Sequence, residues 1–284
     1  MSGVKIVTDS TADIPKRVRE QYGIEMVPLK VMFGEESFLD GISLTNEQFY
    51  TRLATSAALP TTSQPSPVEF TETYERLSKQ YPDSPIISIH LSSMLSGTYQ
   101  SALLGSTMMD TPADVTVIDS RSVSYGLGML GVKAAEMAAA GASKDEILAA
   151  IDAMRKDMNL YFFLDTLEYL QKGGRIGKAA ALFGSILNIK PILTIDREGE
   201  VSPVDKVRGT KKAMQRIVDL FKAEYGDDPI DMTVGWTHKR EHALELAALA
   251  QGQLNVRNIR QTDIGAVIGT HAGAGAAALF ITRV

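Results

Sequence analysis

Four short segments gather hydroxyl and carboxylate groups of the kind that bind a polar ligand: Thr8-Asp9-Ser10-Thr11, Pro60-Thr61-Thr62-Ser63-Gln64-Pro65, Leu91-Ser92-Ser93-Met94-Leu95-Ser96-Gly97 and Asp119-Ser120-Arg121-Ser122. Hydroxyls and backbone amides bind an anion through neutral hydrogen bonds. Ser96, just ahead of Gly97-Thr98-Tyr99, also reads as a helix start, where free N–H groups and a partial positive charge face outward. A nucleophilic serine needs a base within hydrogen-bond reach. His271, in a glycine-rich stretch, could be that base, but sequence alone does not place it beside Ser92, Ser93 or Ser96. Most serine-rich turns simply cap helices.

Two other patterns invite a chemical reading. Gly126-Leu127-Gly128-Met129-Leu130-Gly131 matches the dinucleotide fingerprint and motivates an alternative, an NAD(P)-dependent oxidoreductase. A true fingerprint begins at the strand end, whereas Gly126 lies well past Ile118, and the following acids, Asp145 and Glu146, sit at a helix start. Close helix packing is the plainer use of these glycines. His238-Lys239-Arg240-Glu241-His242 matches an inverted zinc-peptidase pattern. His238 falls where a strand turns into a helix, so a charged, solvated first turn explains the pattern as well. The sequence holds neither a G-x-x-x-x-G-K-[ST] loop nor a G-x-S-x-G elbow, which withdraws support from a P-loop kinase and an α/β-hydrolase. Lys172, Arg175 and Lys178 form one basic group; Lys206, Arg208, Lys211, Lys212 and Arg216 form another. Such runs usually mark wet helix faces. Arg175 differs, being bracketed by Gly173-Gly174 and Gly177, which set a guanidinium on an exposed turn suited to an acidic or phosphate-bearing partner.

The elements that must carry these groups follow from patterning. The chain has 284 residues, 44% hydrophobic and 22% charged, values of a globular protein long enough for two domains. Its 29 basic and 34 acidic residues give a net charge of −5, which disfavours the nucleic-acid backbone as a partner. Without cysteine there are no disulfides, thiolate nucleophiles or iron–sulfur sites, and a cytoplasmic location is expected. A strand-like run from Val4 leaves no room for a signal peptide ahead of it. Ile264 to Thr282 is uncharged and nearly long enough to span a membrane, but its glycines fit two short strands and a loop better, so no membrane insertion is expected.

In the first half, β-branched runs at Lys5–Val7, Ile86–Leu91 and Val115–Ile118 alternate with helical patterns, the form of a parallel sheet flanked by helices. Each run ends in one of the polar turns, at the edge where open α/β sheets bind ligands. The segment from Pro60 to Pro67 reads as a loop stiffened by three prolines, leading to a helix that starts with a Ser66/Glu69 capping box. Helices are expected from an Asp13/Pro15 start, from Gly128 to Ala140 and from Ser143 to Met158. Later, Lys190–Ile195 and Val201–Val207 read as a hairpin around Asp196–Glu200, with strands at Met232–Trp236, Val256–Ile264 and Gly265–Gly269. The fold class expected is α/β with two domains: an N-terminal parallel-sheet, Rossmann-like domain over residues 1–159 and a C-terminal α+β domain over 160–284, with a ligand in the cleft between.

Taken together, Thr8-Asp-Ser-Thr-Ala-Asp13, Pro60-Thr-Thr-Ser-Gln-Pro65, Leu91-Ser-Ser-Met-Leu-Ser-Gly-Thr-Tyr99, Lys172-Gly-Gly-Arg-Ile-Gly177, Asn188-Ile-Lys-Pro191 and Ile268-Gly-Thr-His271 resemble the DegV family over the whole chain. That family is similar to the fatty-acid-binding subunits of bacterial fatty acid kinase. The resemblance implies a lipid-binding protein that is not itself a complete enzyme and takes no cofactor. It holds a long-chain fatty acid such as palmitate and presents the carboxylate to a separate ATP-binding kinase subunit. It further implies carboxylate contacts from Thr61, Thr62, Ser93, Ser96 and His271, and kinase docking by Arg175 and Arg208. Ala274 departs from the family's usual Gly-Pro-Gly after the His-containing turn. Burying a sixteen-carbon chain at about 0.8 kcal/mol per methylene is worth on the order of 12 kcal/mol before association costs. Tail-lining residues are expected within Leu160–Leu170 and Ala179–Leu193.

Overall fold

The computed structural model describes residues 3–184 and 189–284. Its first part runs β1 (Lys5–Asp9), α1 (Lys16–Tyr22), β2 (Glu25–Val27), β3 (Lys30–Phe33), β4 (Glu36–Leu39), α2 (Asn46–Thr55), β5 (Thr61–Ser63), α3 (Pro67–Gln80), β6 (Ile86–His90), α4 (Thr98–Thr107), β7 (Val115–Asp119), α5 (Tyr125–Ala139) and α6 (Lys144–Asp157). The second part holds β8 (Asn159–Phe163), α7 (Glu168–Lys172), β9 (Ile189–Ile195), β10 (Val201–Arg208), α8 (Thr210–Tyr225), β11 (Ile230–Trp236), α9 (Glu241–Gln251), β12 (Val256–Asp263), α10 (Ala266–Ala272) and β13 (Ala277–Arg283).

The alternating apolar runs build a four-stranded sheet, β2-β1-β6-β7, parallel throughout. β6 is buried at every position, as a strand covered on both faces must be. A six-stranded mixed sheet, β10-β9-β8-β13-β11-β12, occupies the second part, with α8 and α9 packed on one face through Phe221, Val218 and Leu246. The fold is therefore α/β with two sheet-centred parts, as the patterning implies. The expected hairpin is β9–β10, and the Ser66/Glu69 capping box opens α3.

Several expectations need correction. Thr61–Ser63 is not merely a loop: it pairs with β3 in a third, three-stranded sheet, β4-β3-β5, which fixes Thr62 opposite Val31. Gly265–Gly269 is no strand; after the extended Gly265 the chain turns into α10, whose Thr270 hydroxyl donates to Ala266 O at 2.9 Å. The segment is so evenly small and apolar that neither period shows in it. Asp13 does not open α1. It ends a short 3-10 turn in the left-handed region, and its carboxylate receives Ser124 Oγ and, at 2.9 Å, the Gly265 amide. The Gly126, Gly128 and Gly131 trio lies inside α5, all buried. A Cβ at Gly128 would stand 2.3 Å from Ala12 O and one at Gly131 2.9 Å from Thr8 Cγ2, so these glycines let the helix lie against the β1 turn. His238 takes φ 61 ahead of α9 and its ring meets Tyr50, whereas His242 sits near Phe163, so the two imidazoles do not share a helical face.

No helix among the described residues is long and apolar enough to cross a membrane.

Candidate functional site

The parallel arrangement brings the three polar turns together at the C-terminal ends of β1, β6 and β7. Asp9 Oδ2 accepts from the Leu91 amide at 3.0 Å, joining the first turn to the second. Ser93 Oγ donates to Asp119 Oδ2 at 2.6 Å and the Ser92 amide donates to Ser122 O at 3.0 Å, joining the second to the third. Ser92 Oγ reaches the other part of the molecule, donating to Gly199 O at 2.7 Å in the β9–β10 turn. There the chain passes so close that a Cβ on Gly199 would lie 2.2 Å from Ser92 Oγ.

Behind these turns, between the parallel sheet and the mixed sheet, is a cavity of about 370 Å³. That volume falls within the range of small-molecule sites. One wall comes from β8 and β13, whose alternation aims Leu160, Phe162, Ala278 and Phe280 inward. Leu91, Leu95 and Val123 come from the β6 and β7 turns, and Val267 and Ile268 from α10. Of the two stretches expected to line a tail pocket, Leu160–Leu170 does so through Leu160, Phe162, Leu164 and Leu170. No residue of the described part of Ala179–Leu193 lines it: Ile192 packs in the core beneath α8, and Leu193 sits in the cluster that backs Leu164 and Leu170. Asn188 and the residues just before it lie outside the described residues.

Polar groups gather at the cavity end bounded by β5, the β6 turn and α10. Thr62 Oγ1 and His271 Nε2 are 2.9 Å apart, and both line the cavity with Ser63, Gln64, Ser96 and Arg175. Burial, reinforced by the Arg175 charge, pulls the His271 pKa down to about 4, so near neutrality the imidazole is uncharged. Its Nδ1 is buried without a hydrogen-bond partner. Gly173 comes close enough to that nitrogen for a Cβ to stand 2.3 Å away, which accounts for one glycine of the Lys172-Gly-Gly-Arg stretch. Ser96 Oγ lies 2.9 Å from Thr98 Oγ1 at the start of α4.

Other candidate residues stand differently. Ser93 is engaged by Asp119 and does not line the cavity. Thr61 is exposed and lines an adjoining outer hollow shared with Thr62, His271, Lys172 and Arg175. Within its basic group only Arg175 lacks a carboxylate partner among the described residues. Lys172 pairs with Glu168, and Lys178 is ringed by Asp196, Glu198 and Glu200. Arg175 instead donates to Leu95 O at 3.1 Å and Gly173 O at 2.8 Å, bridging the β6 turn and the α7 turn at the cavity mouth. Arg208 is exposed at the end of β10, away from the cavity lining.

The family model described as "uncharacterised protein, DegV family" matches residues 3–284. The chain belongs to the DegV family. A DegV domain-containing protein of Caldanaerobacter subterraneus subsp. tengcongensis is 42% identical over 282 residues, covering 99% of each chain. Among solved structures, a fatty-acid-binding DegV family protein from Thermus thermophilus superposes with a TM-score of 0.91 at 34% identity, over 99% of this chain and 100% of that one. DegV of Bacillus subtilis, described as a fatty acid binding protein, superposes with a TM-score of 0.88 at 38% identity over 100% of both. Both solved relatives are thus described as fatty-acid-binding proteins, and this chain matches them over 99% or more of its length.

Sequence reasoning pointed to the Ser63 hydroxyl, held in place by the flanking prolines, but missed Gln64 and Ser124 as cavity residues. Ser63 and Gln64 were visible in the Pro60–Pro65 stretch, and the strand pairing of β5 decides where they face. Ser124 carried no signal, since its place depends on an unusual backbone at φ 52 and on the bond to Asp13.

Proposed function

We propose that this protein binds one long-chain fatty acid in the cavity between its two sheets and presents the carboxylate to a separate ATP-binding kinase subunit. The observation that carries the proposal is the cavity's polarity: apolar walls along β8, β13 and α10, and one polar end where Thr62 meets a neutral His271. Thr62, Ser96 and His271 hold the carboxylate. Thr61 contributes from the outer hollow, and Ser93 joins by exchanging its bond to Asp119 for one to the ligand. With the domain division taken near residue 160, Thr62, Leu91 and Ser96 belong to one side of the cavity and Phe162, His271 and Phe280 to the other.

Neutral donors suit this task. A carboxylate held by hydroxyls and an imidazole keeps more nucleophilic charge than one locked in a bidentate guanidinium pair. Its oxygen attacks the terminal phosphorus of ATP, the bond to ADP breaks, and an acyl phosphate forms. Arg175, unpaired with any acid among the described residues, and Arg208 are the docking cations for the kinase subunit. Affinity comes mainly from the tail, and orientation from the head.

The direct test is organic extraction of the purified protein followed by mass spectrometry, expecting about one fatty acid per chain. A protein that neither carries nor takes up a fatty acid would sink the reading. For the presenting role, Thr62→Ala should lower the rate of acyl-phosphate formation by on the order of a hundredfold while affinity changes far less. Equal losses in both would remove the division between tail and head.

A further inference from the structure

A second cleft, of about 340 Å³, opens on the seam between the Ser120–Ser122 turn, the end of α6 and the β9 strand. Leu160 and Ile195 form part of its wall and part of the wall of the acyl cavity, so it adjoins that cavity, and it shares neither Thr62 nor His271 with it. Its charge is opposite to that of the molecule. Arg121, Arg155, Lys156 and Arg197 line it against the single acid Asp196, in a protein of net charge −5. Asp196 is already held by Lys178 at 2.6 Å. Asp152 offsets Arg155 and Lys156 at 2.7 and 2.6 Å. That leaves Arg121 and Arg197 with no carboxylate partner among the described residues; Arg197 donates only to the Lys156 carbonyl.

The local backbone is built to present these guanidiniums. Arg121 takes φ 50, a left-handed conformation uncommon outside glycine and asparagine, and holds it because its amide donates to Asp119 Oδ1 at 2.9 Å. The β9–β10 turn closes on it from the other part of the molecule, where a Cβ on Gly199 would lie 3.2 Å from Arg121 Cα. Arg197 extends from that same turn. Two guanidiniums carried on separate elements and lining one cleft can offer paired N–H donors to phosphate oxygens.

The geometry points to a phosphate-binding site in this cleft, distinct from the acyl cavity, that takes a phosphate monoester or the phosphate of a lipid headgroup between Arg121 and Arg197. Calorimetry of the full chain at low salt with inorganic phosphate and with glycerol 3-phosphate tests the free source. Cosedimentation with phosphatidylglycerol vesicles, against phosphatidylcholine vesicles, tests the lipid source. Saturable binding of one phosphate per chain, weakened at least about tenfold in Arg121→Asn and in Arg197→Gln and weakening with added salt, supports the site. Asparagine is chosen because it tolerates the left-handed backbone, and Arg197→Lys, which keeps the charge but loses the guanidinium fork, should bind between wild type and Arg197→Gln. Binding to anionic vesicles alone, lost in the same variants, assigns the phosphate to a headgroup. If the wild-type chain binds neither probe, or the folded variants bind like wild type, the site does not exist.

Discussion

Two histidines sit in polar networks on either side of the β6 turn, and they differ in one respect. His90 is fully buried and both ring nitrogens are engaged: Nδ1 with Asp9 Oδ2 at 3.1 Å, and Nε2 with Ser88 Oγ at 2.6 Å. Ser88 continues to the Tyr74 hydroxyl at 2.8 Å, while Asp9 also accepts the amides of Thr11 and Leu91. Every partner there lies in the N-terminal part of the chain, on β1, β6, the turns that follow them and α3. His271 has one partner, Thr62, and one buried nitrogen without any, and its ring lines a cavity. A closed network stabilises a core; an incomplete one facing a cavity is a place for a ligand. Resemblance to a catalytic Ser-His-Asp chain would have drawn attention to His90, whose ring lines neither the cavity between the sheets nor the basic cleft.

The contrast can be broken from either side. The largest effect should come from Asp9→Ala, which strands His90 and two buried amides. A loss of about 3 to 5 kcal/mol is expected, read from the midpoint of urea unfolding. A loss below 1 kcal/mol would mean that the network is not structural.

The second effect depends on pH. The folded His271 pKa of about 4 lies below its usual value near 6.5, chiefly through burial and secondarily through Arg175. Between those values the unfolded chain binds the extra proton. Stability is therefore full above pH 6.5 and falls as pH drops to about 4, by up to about 3 kcal/mol. Asp40 acts in the opposite sense. Burial raises its pKa to about 6, so its contribution is present at low pH and is lost as pH rises through 6. The two slopes are separated by comparing wild type with His271→Gln across this range; identical pH dependence in both would discard the neutral, buried assignment of His271.

The smallest effect concerns Ser93, which stands between the two cases. Its Asp119 bond is part-buried, and Ser93→Ala should cost about 1 kcal/mol. If its hydroxyl turns to the ligand, the same variant also slows acyl-phosphate formation. Unchanged kinetics would leave Ser93 as a brace for the turn and reduce the head-binding set to Thr62, Ser96 and His271.

Much of the parallel sheet was legible because its signals are local. The β-branched runs of β1, β6 and β7, the Ser66/Glu69 box and the β9–β10 hairpin each declare themselves within a few neighbouring residues. So do the hydroxyl-rich turns, and the rule that such turns gather at strand ends predicted their meeting. The small β3–β5 sheet was not legible, since β5 is three residues long and acquires its register only by pairing with β3. α10 was misread because a segment buried on several sides shows no periodicity.

What the sequence by itself determined is the stock of groups: hydroxyl turns, a histidine among glycines, apolar strands and a guanidinium on a glycine-flanked bend. Tertiary structure decided which of them share a space. It drew Thr62 to His271 across more than two hundred residues, turned Ser93 to Asp119, closed the glycines of α5 against the β1 turn and set Arg121 against the β9–β10 turn that carries Arg197. Those pairings depend on sheet register and on how two sheets stack, quantities fixed by long-range burial that no short stretch of chain encodes.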